Sequence, residues 1–145
     1  MNIFDVASYI LKQTGRITTL KLQKLCYYAQ AWSLVRENEP IFQEDFEAWA
    51  NGPVCRPLYD CHKGQYLIES DNCFRRHLTK DELNEQQKKT VDEVIRVYGD
   101  KDPQWLSTLT HMEAPWNQAR TGVPDGANCE KPISKESMKE YYGSL

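Results

Sequence analysis

LKLQKLCYYAQAW, residues 20–32, sets Leu22, Leu25, Cys26, Ala29 and Trp32 three and four residues apart. That recurrence lines up one face of an α-helix. Thr18 or Thr19 supplies a hydroxyl for the first exposed N–H groups, and Pro40 forbids continuation of the helix. The outward positions Lys21 and Lys24, with Arg16 nearby, make a modest basic face. Such a face either contacts an acidic partner or nucleic acid, or is simply solvated.

Upstream, Ile3, Ala7, Ile10 and Leu11 predict a first helix over about 3–13, capped by Asn2 and ended by Gly15. Downstream, Phe46, Ala48 and Ala50 alternate with Glu47 and Trp49, which predicts a short strand broken by Asn51-Gly52-Pro53. Pro53 is then expected as the first residue of a short helix carrying Val54, Leu58 and Tyr59 and closed by Gly64. Cys73 to Arg76 is the candidate second strand of a hairpin.

Thr79 and Glu82 have capping-box spacing, with Leu78 and Leu83 as a hydrophobic staple, so a helix is expected over 80–98. Gly99 stops it. Asp102-Pro103 opens another helix with Trp105, Leu106 and Leu109 inward, and Pro115 starts a short turn holding Trp116. The polar stretch TGVPDGANCEKP (121–132) is a loop before a last helix capped by Ser134. That helix is amphipathic and is expected to dock on its own body rather than in a partner's groove. The expectation is one domain over 1–145, a compact and mainly α bundle of about six helices with one small β-hairpin and near 60% helix.

The chain has 145 residues, 40% hydrophobic and 27% charged, so it is neither disordered nor membrane-embedded. No stretch approaches the ~18 apolar residues of a membrane-spanning helix. No secretory signal opens it. The net charge of −3 argues against nucleic-acid binding by the whole surface. Five cysteines, an odd count without an export signal, read as reduced thiols in a cytoplasm. The group Cys55, Cys61, His62, Cys73 and His77 is the one cluster that suggests metal or thiol chemistry. It lacks a CxxC and does not fit zinc-finger spacing, so neither a metal nor any other cofactor is expected. His111 and Glu113, two residues apart on a helix, point in different directions and make a poor acid–base pair. No phosphate loop, HExxH or GxSxG occurs, and no catalytic residue is assigned.

LKLQKLCYYAQAW (20–32), FEAWANGPVCRPLY (46–59) and LTHMEAPW (109–116) together resemble the Panacea antitoxin domain, which includes SocA-type antitoxins and phage-encoded relatives. The similarity spans nearly the whole chain. The aromatic-x-x-Gly-Pro-Val element at Trp49–Val54 is its most specific part. The resemblance implies an antitoxin that neutralises a toxin encoded by an adjacent gene through direct protein contact. SocA-type members instead imply an adaptor that hands the toxin to an ATP-dependent protease. The similarity begins almost at Met1, which leaves no expectation of a separate DNA-binding domain. Positions in or beside these blocks, taken as exposed, are the candidate partner contacts: Lys24, Trp49, Asn51, Arg56, Tyr59 and Trp116. Trp49 and its turn otherwise serve packing alone. Arg56, on a short helix, is expected to be free to reach a carboxylate. The reading from a different class is a small enzyme or metalloprotein built on the Cys/His group.

Overall fold

Asn2 opens helix α1 (Ile3–Thr14) with a complete capping box, its side chain accepting from the Asp5 N–H while Asp5 accepts from the Asn2 N–H. In the computed structural model, which describes Met1–Leu145, this helix packs on the next one. Strand β1 (Ile17–Thr18) leads into α2 (Thr19–Arg36), capped by Thr18.

Helix α2 departs from the one-sided pattern. Leu22, Leu25, Cys26, Tyr27, Tyr28, Ala29 and Ala31 are all fully buried, and so are the polar Gln23, Lys24, Gln30 and Ser33. The helix is the axle of the domain, covered on every side by other helices and by the hairpin. A fully buried helix must satisfy its polar side chains internally. Gln30 does so by donating to the Phe42 carbonyl at 2.7 Å and accepting from the Ile41 N–H at 2.9 Å, while Ser33 donates to the Glu39 carbonyl. The segment after the helix is thereby tied back onto it.

A tight hairpin follows, formed by β2 (Phe46–Trp49) and β3 (Gly52–Val54), with Ala48 opposite Pro53. Pro53 is therefore a strand residue and not the start of a helix. It sits on an edge strand, where a missing N–H is tolerated. The short helix α3 (Arg56–His62) starts later, after Cys55, and Pro57 occupies its first turn. Strand β4 (Leu67–Ile68) pairs with β1. Residues Asn72–His77 form a 3-10 helix and not the hairpin's second strand.

Helix α4 (Glu85–Tyr98) begins five residues later than the Thr79 reading predicts. Its capping box is Asn84 with Gln87. Thr79 instead gives both its N–H and its hydroxyl to Asp5 of α1, at 2.9 and 2.7 Å, a tertiary contact that outcompetes the local cap. Helices α5 (Pro103–His111) and α6 (Ala114–Ala119) follow. Leu106 points inward, whereas Trp105 lies about half exposed with the Lys101 ammonium 5.2 Å from its ring centre. Strand β5 (Pro132–Ile133) adds to β2, giving the sheet order β3-β2-β5.

The last helix, α7 (Lys135–Gly143), docks on α2 and buries Met138 and Tyr142. The chain is 56% helical, with seven α-helices, one 3-10 helix and two small sheets, so mainly α holds while six helices and one hairpin do not. No helix is long and apolar enough to cross a membrane.

Candidate partner-binding groove

The hairpin β2–β3 is held by side chains from other elements as well as by its own strand pairing. Arg120 donates to the Ala48 carbonyl at 2.8 Å and Trp116 Nε1 to the Trp49 carbonyl at 2.9 Å. Ser107 Oγ donates to the Asn51 carbonyl at 2.6 Å and Lys24 Nζ to the Pro53 carbonyl at 3.1 Å. Four carbonyls in six residues are thus claimed by α2, α5 and the α6 region. Each would otherwise be an unpaired buried acceptor or would need water.

Gly52 makes this close approach possible. Its φ of +115° is in the region that favours glycine, and a Cβ there would lie 2.6 Å from Lys24 Cε and 2.9 Å from Thr110 Oγ1. Lys24 is fully buried and pairs with no carboxylate, so burial pushes its pKa down to about 7. Arg120 is nearly as buried, but it also reaches the carbonyls of Pro124 and Ala127 and stacks on Trp116. His111 stacks on the same tryptophan, with ring centres 4.0 Å apart, and desolvation holds it below its ordinary pKa.

Above this base lies a groove of about 900 Å³ between the start of α2, the hairpin, α3 and residues 128–130. Trp49, Asn51, Arg56 and Tyr59 line it together. The Trp49 ring meets Tyr59 edge to face at 4.8 Å and carries the Arg56 guanidinium 5.2 Å from its centre. Arg56 is not free. Its Nε and Nη2 clamp Glu47, at 3.3 and 3.1 Å, and Nη2 also reaches Glu130 at 2.7 Å. Trp49 Nε1 donates to the same Glu47.

The floor is Gln23. Its Oε1 accepts from the Cys55 N–H at 2.9 Å and its Nε2 donates to the Cys55 carbonyl at 3.2 Å, which fixes the orientation of the amide. Nε2 therefore also donates to His62 Nε2 at 3.0 Å, so His62 is neutral with its proton on Nδ1. Burial, which lowers the His62 pKa, agrees.

Two of the six candidate contacts are misplaced by the sequence reading. Lys24 lies inside the protein under the hairpin and not on a basic outer face, because α2 is covered on every side. Trp116 is 6% exposed and serves the hairpin from beneath. The residues that the sequence did not flag are Gln23, Glu47, Glu130 and Arg120. Only Gln23 left a trace, a polar residue inside the apolar recurrence of LKLQKL.

The Cys/His group is divided by α3. The Cys55 backbone and the His62 ring meet Gln23, whereas Cys61, Cys73 and His77 line another cleft, and no three potential ligands come together as a metal site. Glu113 faces away from His111, as their spacing indicates. Its carboxylate accepts from Tyr28 at 2.6 Å and Tyr142 at 2.8 Å, tying α7 to the body, and burial raises its pKa.

The sequence model of the family described as antitoxin SocA-like, Panacea domain, matches residues 22–117, a span that runs from just before Lys24 to just after Trp116. Antitoxin SocA of Caulobacter vibrioides is 28% identical to this chain, over 87% of the chain and 72% of that protein. No solved structure matches. Of the hairpin's clamps, Lys24, Ser107 and Trp116 lie within the family model's span and Arg120 just beyond it, and the chain belongs to the antitoxin SocA-like, Panacea domain family.

Proposed function

We propose that this protein is an antitoxin that neutralises a cognate toxin from an adjacent gene by binding it stoichiometrically at the Trp49–Arg56–Tyr59 groove. The observation that carries the reading is the clamped hairpin. Side chains from α2, α5 and α6 fix the backbone beneath Trp49, so the aromatic wall is ordered before any partner arrives. An ordered aromatic and arginine cluster is the composition of an interface hot spot, and preorganisation lowers the entropy cost of binding. An interface of standard size takes ~800 Å² per partner, about a tenth of the 7764 Å² surface here. No catalytic step is assigned to the groove, because its histidine is neutral, buried and engaged by Gln23. The proposed setting is the cytoplasm.

Co-expression tests this. Each neighbouring reading frame is induced alone and then with this protein. Growth arrest by one neighbour, relieved by the wild type and not by Trp49→Ala, is the expected result. If no neighbour is toxic, or Trp49→Ala rescues as well as wild type, the reading fails. Toxin half-life in the rescued cells separates the two modes of action. An unchanged half-life supports occlusion, and a shortened one supports delivery to an ATP-dependent protease.

A further inference from the structure

Helix α3 turns one side to the groove and the other to a separate cleft of about 490 Å³, shared with the 3-10 helix. Cys61 and Cys73 both line this cleft, together with Asp60, Arg76 and His77. They are the two cysteines that are not buried, whereas Cys26, Cys55 and Cys129 are. The hairpin and the groove use neither. The turn carrying Cys73 is held to the body by Phe74, which is fully buried against Phe4, and by His77, stacked on Phe4 at 4.7 Å. The two thiols therefore face a common space from two anchored elements. They feel each other electrically: after burial, Cys61 is the largest influence raising the Cys73 pKa. Burial raises the Cys61 pKa too, but there the Arg76 guanidinium opposes it, an influence Cys73 does not share, so Cys61 is assigned the first attack.

We propose that Cys61 and Cys73 are a modification site, a dithiol that a low-molecular-weight disulfide of the glutathione type converts to an intramolecular bridge. The Cys61 thiolate attacks one sulfur of the reagent, forms a mixed disulfide and expels one thiolate. The Cys73 thiolate then attacks the Cys61 sulfur, forms the protein S–S bond and expels the second thiolate. The protein loses two protons and two electrons, and the reagent takes both as two thiols. The bridge closes residues 61–73 into a ring. That ring contains Lys63 at the groove's edge and strand β4, which pairs with β1. Oxidation thus ties the α3 wall of the groove to the body.

The test uses oxidised glutathione on the intact native protein and does not depend on the toxin. Before treatment, two of the five thiols titrate rapidly and the rest only after unfolding. After treatment, the expected product is a monomer lighter by two hydrogens, without fast thiols, whose peptide map joins Cys61 to Cys73. Dithiothreitol reverses it, and the bridged form melts at a higher temperature because its unfolded chain is constrained. Cys73→Ser stops at a stable single glutathionyl adduct on Cys61. Stable adducts on both cysteines of the wild type, a bridge to another cysteine, covalent dimers, or no loss of thiols would each overturn the proposal. Should Cys73→Ser fail to fold, the wild-type peptide map alone decides.

Discussion

The ammonium group of Lys24 donates to the Pro53 carbonyl from a site with no solvent exposure, and none of the chain's ion pairs includes it. A single carbonyl compensates poorly for a buried charge. The unfolded lysine binds its proton as pH falls through about 10.5, the folded one only near 7. Between these values the unfolded state holds more protons, so this group makes stability rise with pH. Below pH 7 the full cost remains, roughly 4–5 kcal/mol. Lys24→Met should flatten that slope and be more stable at pH 7 by about 1–3 kcal/mol, after subtracting the lost hydrogen bond. Urea unfolding of both proteins between pH 6.5 and 10 measures this. Parallel slopes would contradict the assignment.

Gly52 and Gly64 both have positive φ, but only Gly52 has a neighbour where a Cβ would go. Gly64→Ala should cost about 1 kcal/mol through backbone strain alone. Gly52→Ala should cost about 3 kcal/mol or more, because Lys24 and Thr110 must also move. Thermal melts of the two variants isolate the steric part. Equal losses would mean that the space under the hairpin is not tight.

Glu113 accepts both tyrosine hydroxyls through one carboxylate oxygen, Oε1. A glutamine oxygen takes the same two bonds, so Glu113→Gln should stay within about 1 kcal/mol of wild type. Glu113→Ala leaves the Tyr28 hydroxyl without an acceptor and Tyr142 with only the Tyr27 hydroxyl, and should cost about 1–3 kcal/mol. Because Tyr142 belongs to α7, the alanine variant should also lose protection of the C-terminal helix from protease. The raised Glu113 pKa adds a pH signature. The folded protein takes up this proton above the ordinary carboxylate range, so the group makes stability rise as pH falls from the folded pKa towards 4.5. Glu113→Gln should remove that rise.

Arg56→Ala removes the clamp on Glu47 and Glu130 at an exposed position, so its melt should match wild type while rescue of the toxin weakens. Leu25→Ala is the contrasting control, a fully buried side chain whose truncation should cost about 2–5 kcal/mol. Loss of rescue only in step with loss of stability would remove Arg56 from the binding surface.

The helices were legible where local signals were unopposed. Asn2, Asp102 and Ser134 cap as their spacing indicates, and Ile133 and Met138 bury together. The errors arise where a distant residue competes. Thr79 has a cap's sequence but Asp5 takes its hydroxyl. Pro53 has a helix-start sequence but Ala48 pairs with it across the hairpin, and Pro57 takes the helix role. Lys24 follows the periodicity of an outer face, yet nothing local shows that a hairpin will cover that face. Of the groove, the aromatic residues Trp49 and Tyr59 were legible in FEAWANGPVCRPLY. The acidic partners of Arg56 were not, because Glu130 lies 74 residues away.

The hairpin's carbonyls carry a consequence for synthesis. Its clamps are separated from it by 29 residues at Lys24, 67 at Trp116 and 72 at Arg120. A hairpin whose closure depends on such distant groups forms late, after the chain has met the entropy of those loops. A nascent chain carries no finished groove until Glu130 has left the ribosome, so under the proposed function truncated products should fail to rescue. Only nearly full-length molecules carry the complete groove.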